Sequence, residues 1–428
     1  MRLSAISPAA VLLLPFSAAG VTPACSGYTG WNTQTNPQTD VAGRTNTNFP
    51  EASSTSYWGM GLQADIGTVM TIHGRYPFAR FMSLELTTSD MLLDFVNDSN
   101  IVPDPGQNNP FVSGTTNGTF TAYVVFGAKP PAPAPNTLYT GSRTDVRLAY
   151  RIYHATDPND PAAGATNPQT PLLSINGQPL TNCPVQPIVQ PPTATVWGRL
   201  GLVNWHGTPP TDAQKITAFP TPTWRIVPPT EAHFYPNGAN YYMGTTLSRE
   251  FLTPNTSDEI FVVRFISPTY PKTRSGEPVY LSRQVRFWSF CTDDPYTTNV
   301  NRCIPDDAAA VNANGMTTFV VSDPGYKPSD TALSTYRARW IAWGALDLPG
   351  DVVYDRVKVA WGLDSQVHYY NSLIYRQTLA DPSFTQSMEA ISLLPVSQQK
   401  AAMGHYWPVS GYCTKASFEA SGANCLMQ

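Results

Sequence analysis

The chain has 428 residues, a formal net charge of −4 and only 13% charged side chains. Without a basic cluster to neutralise phosphates, nucleic acid is excluded as a partner. Its 41 prolines and 29 glycines accompany 42% apolar and 11% aromatic residues, a mixture that fits a β-rich fold with many turns and not a low-complexity coil.

Residues 1–20 combine Arg2, an apolar run through Ala9–Phe16 and the small residues Ser17, Ala18, Ala19 and Gly20, which read as a cleavable signal peptide. Cys25 raises a lipoprotein alternative, against which Thr22-Pro23-Ala24 lacks the usual leucine and puts a proline where the peptidase needs an extended, accessible chain. No later stretch reaches about 18 consecutive apolar residues, so an exported chain with no membrane span is expected.

Five landmarks then occur twice in the same order. Ala79-Arg80-Phe81-Met82-Ser83, Val102-Pro103-Asp104, Asn117-Gly118, Lys129-Pro130 and Asp145-Val146 are matched by Val285-Arg286-Phe287-Trp288-Ser289, Ile304-Pro305-Asp306, Asn314-Gly315, Lys327-Pro328 and Asp351-Val352. A period of roughly 200 residues is too long for a solenoid and implies two related domains. Period-two runs of aromatic and β-branched residues mark strands at Phe120–Phe126, Val146–Tyr153, Thr195–Val203, Glu259–Phe265, Val285–Cys291, Thr317–Val321 and Val352–Val359.

The expected fold is therefore all-β: two homologous antiparallel β-sandwiches of jelly-roll type over 21–157 and 231–362, the first carrying an N-terminal arm. A Pro-rich linker or insertion over 158–230 would separate them. Residues 363–428 would form a helical, disulfide-closed tail, with an amphipathic stretch over Phe384–Met403 broken at Pro395.

Six cysteines in an exported chain read as disulfides. Equal spacing pairs Cys291 with Cys303 and Cys413 with Cys425, which leaves Cys25 for Cys183, although six cysteines allow 15 pairings. There is no C-x-x-C, and His73, His154, His206, His233, His368 and His405 show no H-x-x-x-H or H-x-H spacing, so no metal site is expected. With no G-x-G-x-x-G, P-loop or G-x-S-x-G, neither a nucleotide cofactor nor a hydrolase nucleophile elbow is implied. Asn97, Asn117 and Asn255 head sequons that a eukaryotic host would glycosylate.

Arg286-Phe287-Trp288-Ser289, Asn314-Gly315, Asp323-Pro324-Gly325 and Trp340–Trp343 resemble a bacterial domain family of unknown function that usually forms the C-terminal β-sandwich of two-part proteins. With Ile101–Phe111, Asn136-Thr137-Leu138-Tyr139 and Gly404–Cys413 added, the whole chain resembles uncharacterised secreted proteins of actinobacterial type. The resemblance implies the sandwich fold and no activity.

Arg80 and Arg286 could each offer a planar fork to a carboxylate or sulfate, or pair with an acid of its own domain, such as Asp104 or Asp306, and pin a turn. A glycosidase pair could be drawn from Glu85, Asp104, Glu250, Asp306 and Asp307. Tyr57-Trp58, Tyr241-Tyr242 and His405-Tyr406-Trp407 could stack on a sugar or an apolar molecule at the domain junction, or fill the cores. The expected function is binding of a neutral glycan or apolar small molecule at the seam between the sandwiches. A cofactor-free enzyme using the same cleft and a structural surface protein are the alternatives.

Overall fold

Alternation along each strand sends Trp58, Met60 and Leu62, Met82, Leu84 and Leu86, and Leu148, Tyr150 and Ile152 into one apolar core. They belong to β1 (Thr55–Gln63), β3 (Ala79–Thr87) and β7 (Asp145–Ala155), which with β4 (Leu92–Asn97) make a sheet of order β1-β7-β3-β4. A second sheet covers that core, formed by β2 (Val69–Arg75), β5 (Thr119–Val125), β6 (Thr137–Tyr139), β8 (Leu172–Ile175) and β9 (Gln178–Pro179) in the order β6-β5-β2-β8-β9. The computed structural model describes residues 55–88, 91–114, 118–157, 159, 172–175, 178–180, 223–230, 237–248, 260–293, 300–322, 324–342 and 370–427.

The second half repeats this plan. β11 (Asn240–Ser248), β13 (Val285–Asp293), β14 (Val300–Pro305) and β17 (Tyr370–Ala380) take the order β11-β17-β13-β14, with β10 (Arg225–Val227) added at the edge. β12 (Ile260–Ile266), β15 (Met316–Ser322), β16 (Ala338–Ala342) and β18 (Val409–Cys413) form the facing sheet β16-β15-β12-β18. Between them Phe265, Trp288, Phe290, Phe319 and Tyr375 build an aromatic core, with Phe290 stacked on Phe319 at 4.4 Å and Phe265 on Tyr375 at 4.3 Å.

The two halves agree down to their irregularities. β5 pairs with β6, and β15 with β16, in parallel, so each sandwich carries one parallel pair where purely antiparallel sheets were expected. Among the described residues four non-glycine positions have positive φ, and they fall into two equivalent pairs. Asn136 and Arg337 immediately precede β6 and β16, while His154 and Leu379 are the penultimate residues of β7 and β17. Left-handed backbone costs an ordinary side chain about 1–2 kcal/mol, so the path of the chain, not the residue type, dictates these kinks. Opposite the second kind, the β3–β7 ladder passes over Arg80 and His154, and the β13–β17 ladder over Arg286 and Leu379.

Several boundaries differ from those expected. β8, β9 and β10 come from the segment assigned to a linker and extend one sheet of each sandwich. β17, assigned to the helical tail, is a central strand of the second sandwich and the counterpart of β7. The landmark Asp351-Val352 lies outside the described residues, as do Thr195–Val203, Val352–Val359, the signal peptide, Cys25 and Cys183. Beyond β17 the expected helical stretch is present as Met388–Ser392 and Val396–Met403, interrupted at Pro395, and a last helix spans Lys415–Ser421. Cys413 and Cys425 are bridged across that helix, and Cys291 and Cys303 face one another on β13 and β14. No helix among the described residues is long and apolar enough to cross a membrane.

Candidate functional site

All nine positions of β3 are buried, which one core cannot explain because alternate side chains leave opposite faces of a sheet. The second face of the β3 sheet packs on the corresponding face of the β13 sheet. Tyr57, Phe81 and Tyr153 from the first sandwich meet Ala239, Phe287 and Leu379 from the second, with Tyr153 and Phe287 edge to face at 5.8 Å. Around this apolar patch the seam is polar. The Tyr153 hydroxyl accepts hydrogen bonds from Tyr57 Oη (2.9 Å), Asn237 Nδ2 (3.0 Å) and Asn240 Nδ2 (2.9 Å), and Thr378 Oγ1 donates to Asn240 Oδ1 at 2.6 Å.

The two repeated arginines cross the seam. Arg80 forms a fully buried ion pair with Asp306 of the second sandwich, and Arg286 reaches back to Asp98 of the first at 3.3 Å. Each aspartate opens a short 3-10 turn after its strand and also accepts the backbone N–H of an equivalent residue, Met82 for Asp98 and Trp288 for Asp306. Among the described residues neither arginine pairs with an acid of its own domain, contrary to the expectation that each would. Asp104 takes no part, since its carboxylate accepts from Thr121 Oγ1 at 2.8 Å, and Asp98 is the true counterpart of Asp306. Burial is the main influence on Asp98 and raises its pKa to about 6 against the opposing pull of Arg286.

Next to this exchange, His154 Nε2 and Arg274 NH1 each lie 3.0 Å from Asp307 Oδ2. His154, Asp306 and Asp307 could converge on a cation, their ligand atoms lying within 4.8 Å of one another. Arg80 and Arg274 already supply positive charge to both carboxylates, however, so the cluster is complete as an ion-pair network between the domains. Deeper in the seam, Glu85 Oε2 lies 2.8 Å from Arg151 and Oε1 accepts from Ser83 Oγ at 2.7 Å. Desolvation outweighs both partners and raises the Glu85 pKa to about 7.

The aromatic candidates divide. Tyr57 and Tyr242 are true counterparts, placed opposite Arg151 and Arg376 in register, and each carries that arginine over its ring, at 5.3 and 4.9 Å. Trp58 turns away into the first core, stacked on Tyr150 at 5.3 Å. Tyr241 and Trp407 pack with the second core, Tyr406 accepts from Gln284 Nε2 at 2.6 Å, and His405 is exposed. The three aromatic groups therefore do not converge on one surface. Of the acids proposed as a glycosidase pair, only Asp306 and Asp307 come together among the described residues, and both are engaged in the ion-pair network with Arg80, His154 and Arg274; Glu85 is sealed in an ion pair with Arg151, Asp104 lies at the surface turn, and Glu250 is outside the described residues.

A hollow of about 280 Å³ opens where the seam reaches the surface. It is lined where the two halves differ in chain path. The first sandwich joins β2 to β3 through residues 76–78, whereas the second takes 267–284 between β12 and β13. That longer excursion leans across the seam, where Arg274 Nε donates to the carbonyl of Ala155 at 3.1 Å. It presents Thr273, Val279 and Tyr280 to the hollow, opposite Phe78 and Phe111 of the first sandwich.

Phe111 sits on the helical turn Pro110–Ser113, capped by Asn109, whose Oδ1 accepts the Phe111 N–H at 2.8 Å. The same Asn109 amide donates to the carbonyls of Asp98 and Ile101, tying this wall to the turn that holds Arg286. The guanidinium of Arg286 lies 5.6 Å from the centre of the Phe111 ring. Gly114 ends the turn at φ 68°, and a Cβ there would stand 2.2 Å from the Tyr280 ring.

No family model and no curated protein matches the chain. Among solved structures, an uncharacterized protein from Burkholderia cenocepacia is similar at 12% identity and a TM-score of 0.49, over 90% of this chain and 82% of its own. A protein from Vibrio parahaemolyticus is similar at 11% identity and a TM-score of 0.38, over 84% and 89% respectively.

Proposed function

We propose that this is an exported binding protein that holds a small, largely apolar molecule in the hollow at the junction of its two sandwiches. One observation carries the reading. The seam is filled by duplicated residues that hold the domains together, whereas the hollow is built where the duplication breaks down, from the 267–284 excursion and the Pro110–Ser113 turn. Rigid repeats with divergent loops between them are where binding sites are commonly placed.

The lining supports an apolar molecule over a glycan. Pro77, Phe78, Phe111, Pro278, Val279 and Tyr280 offer ring and aliphatic surface, while a sugar would ask for several convergent donors and acceptors. The volume falls at the lower edge of the roughly 300–1,000 Å³ usual for small-molecule sites, so the ligand is compact. Phe78 and Tyr280 remain 38% and 44% exposed, so a ligand has apolar surface left to cover. The disulfides fit an oxidising compartment, in keeping with export.

The test is titration with the neutral fluorophore N-phenyl-1-naphthylamine. The wild type should enhance its emission saturably, and Phe78→Ala and Tyr280→Ala should each weaken binding several-fold without shifting the melting temperature by more than a few degrees. Undiminished binding in both folded variants would refute the site.

A further inference from the structure

The sheet β6-β5-β2-β8-β9 turns one face to the first core and the other away from the seam, which the β3 sheet occupies. Alternation sends Met70 and Ile72 of β2 and Ala122 and Val124 of β5 inward and their neighbours outward. Register sets the outward side chains in rows. Thr137, Tyr123, Thr71 and Ser174 stand side by side on four adjacent strands, so hydroxyl-bearing side chains span about 14 Å of the sheet. Thr121, His73 and Leu172 form the next row. Thr121 Oγ1 donates to the Asp104 carboxylate at 2.8 Å and therefore receives the Nδ1–H of His73 at 3.1 Å, which leaves Nε2 of the neutral ring as an acceptor. Tyr123, Val69 and Leu172 are 38%, 40% and 56% exposed, so apolar surface borders the hydroxyls.

The second sandwich shows the same face under a protein cover. Its outward Ile260, Val262, Val320 and Ala338 are apolar and cluster with Phe418 of the helix Lys415–Ser421. Burial beneath protein favours such side chains, because a covered hydroxyl loses its water. The first sandwich instead sets hydroxyls, an imidazole and a phenol ring on this face, the donors and acceptors that suit a hydroxylated partner. We propose that the face is a second binding site, separate from the hollow, for a neutral β-1,4-linked polysaccharide. Such a chain is a flat ribbon whose ring C–H faces lie on Tyr123, Val69 and Leu172, while its edge hydroxyls bond with Thr71, Ser174 and His73. The charges bordering the rows, Arg75 and Asp104, are of opposite sign, so no net field draws a polyanion.

The experiment measures retention of the full chain on amorphous cellulose and on chitin, with immobilised dextran sulfate as the charged comparison, for wild type, Tyr123→Ala and Leu172→Glu. Wild type should bind cellulose or chitin more tightly than dextran sulfate and keep that binding at high salt. Tyr123→Ala should weaken it about tenfold, the loss of one stacked ring. Leu172→Glu, a charge at an exposed position, should weaken it similarly while melting within a few degrees of wild type. No retention on either neutral matrix, a preference for dextran sulfate, or undiminished retention of the two folded variants would overturn the proposal. So would sedimentation equilibrium showing a dimer that Leu172→Glu dissociates, since the face would then belong to a second copy. None of these outcomes bears on the hollow, which lies at the seam on the opposite side of the first core.

Discussion

Arg80 of the first sandwich and Asp306 of the second form an ion pair with both side chains wholly shielded from solvent, and Arg286 with Asp98 repeats it in the opposite direction. The duplicated arginines therefore exchange partners across the seam, and each sandwich holds the charge that neutralises the other. The guanidinium of Arg80 also lies 4.9 Å from the centre of the Tyr270 ring, which helps to compensate the loss of water.

Removing one member of such a pair strands a buried charge. Asp306→Asn and Arg80→Met should each destabilise by about 3–5 kcal/mol, because the desolvation cost remains when the attraction is gone. The double variant Arg80→Met/Asp306→Leu should recover a large part of that loss. Denaturant unfolding of the three variants and wild type measures this cycle, and additive losses would show that the pair is not coupled.

The seam also sets a pH dependence. Glu85 and Asp98 have folded pKa values of about 7 and about 6, raised by burial above ordinary carboxylate values of 4.5 and 3.8. The folded state thus holds these protons more tightly, so their contribution is present in full below about pH 4 and is lost as pH rises through 6 and 7. Asp307, held near 2 mainly by His154 and Arg274 against its desolvation, acts in reverse and loses its contribution as pH falls from 3.8 toward 2. His154, lowered chiefly by burial, costs stability as pH falls below 6.5 and so offsets part of the gain. Melting followed from pH 8 to pH 5 should show Glu85→Gln gaining on wild type at the alkaline end, with the difference shrinking as pH falls. A pH-independent difference would contradict the shift assigned to Glu85.

Trp58 and Trp407 are core residues, 4% and 7% exposed. Replacing either with alanine should cost about 3–5 kcal/mol, the usual range for an aromatic removed from a core. Phe78→Ala and Tyr280→Ala, at the rim of the hollow, should cost far less. Thermal melts of all four variants separate the two groups, and a stable Trp58→Ala protein would conflict with the packing on Tyr150.

The Cys413–Cys425 bridge ties the last strand, paired with β12, to the segment after the helix Lys415–Ser421, whose Phe418 is buried in one cluster with Ile260 and Val262. Its replacement by two alanines should lower stability by about 2–3 kcal/mol, as expected for a short closed loop. Reducing agent should lower wild type by more than the double variant, since the Cys291–Cys303 bridge is reduced in both and Cys413–Cys425 in wild type alone.

Asn97 was legible as a sequon, but its side chain is 5% exposed and caps the following turn by accepting the Asn100 N–H. A sequon records a tripeptide, whereas attachment of a glycan needs an accessible amide. Similarly, Pro103-Asp104 and Pro305-Asp306 match in sequence and not in place, because the equivalence is set by the turn that ends β4 and β14, where Asp98 and Asp306 stand. The Asn-Gly landmarks do mark equivalent strand starts, yet the glycines differ in purpose. Gly315 adopts φ 76°, whereas at Gly118 a Cβ would stand 1.9 Å from the Asn108 carbonyl oxygen.

The sequence by itself determined the β-rich class, the twofold repetition of the arginine-bearing strands and the two local disulfides, since each depends on alternation, order or spacing along the chain. It did not reveal β17, whose Arg376 and Thr378 interrupt the apolar pattern because one face of that strand lies against a polar seam, while Gln377 on the core face is held by the Met388 N–H and Tyr375 Oη. The tertiary structure alone decided that Arg80 and Arg286 exchange acids, that Trp58 points inward while Tyr57 points to the seam, and that a hollow forms where the excursion 267–284 meets Phe111. Those outcomes depend on how two sheets face one another, and the energy of a buried charge is fixed by neighbours that lie up to 226 residues away along the chain.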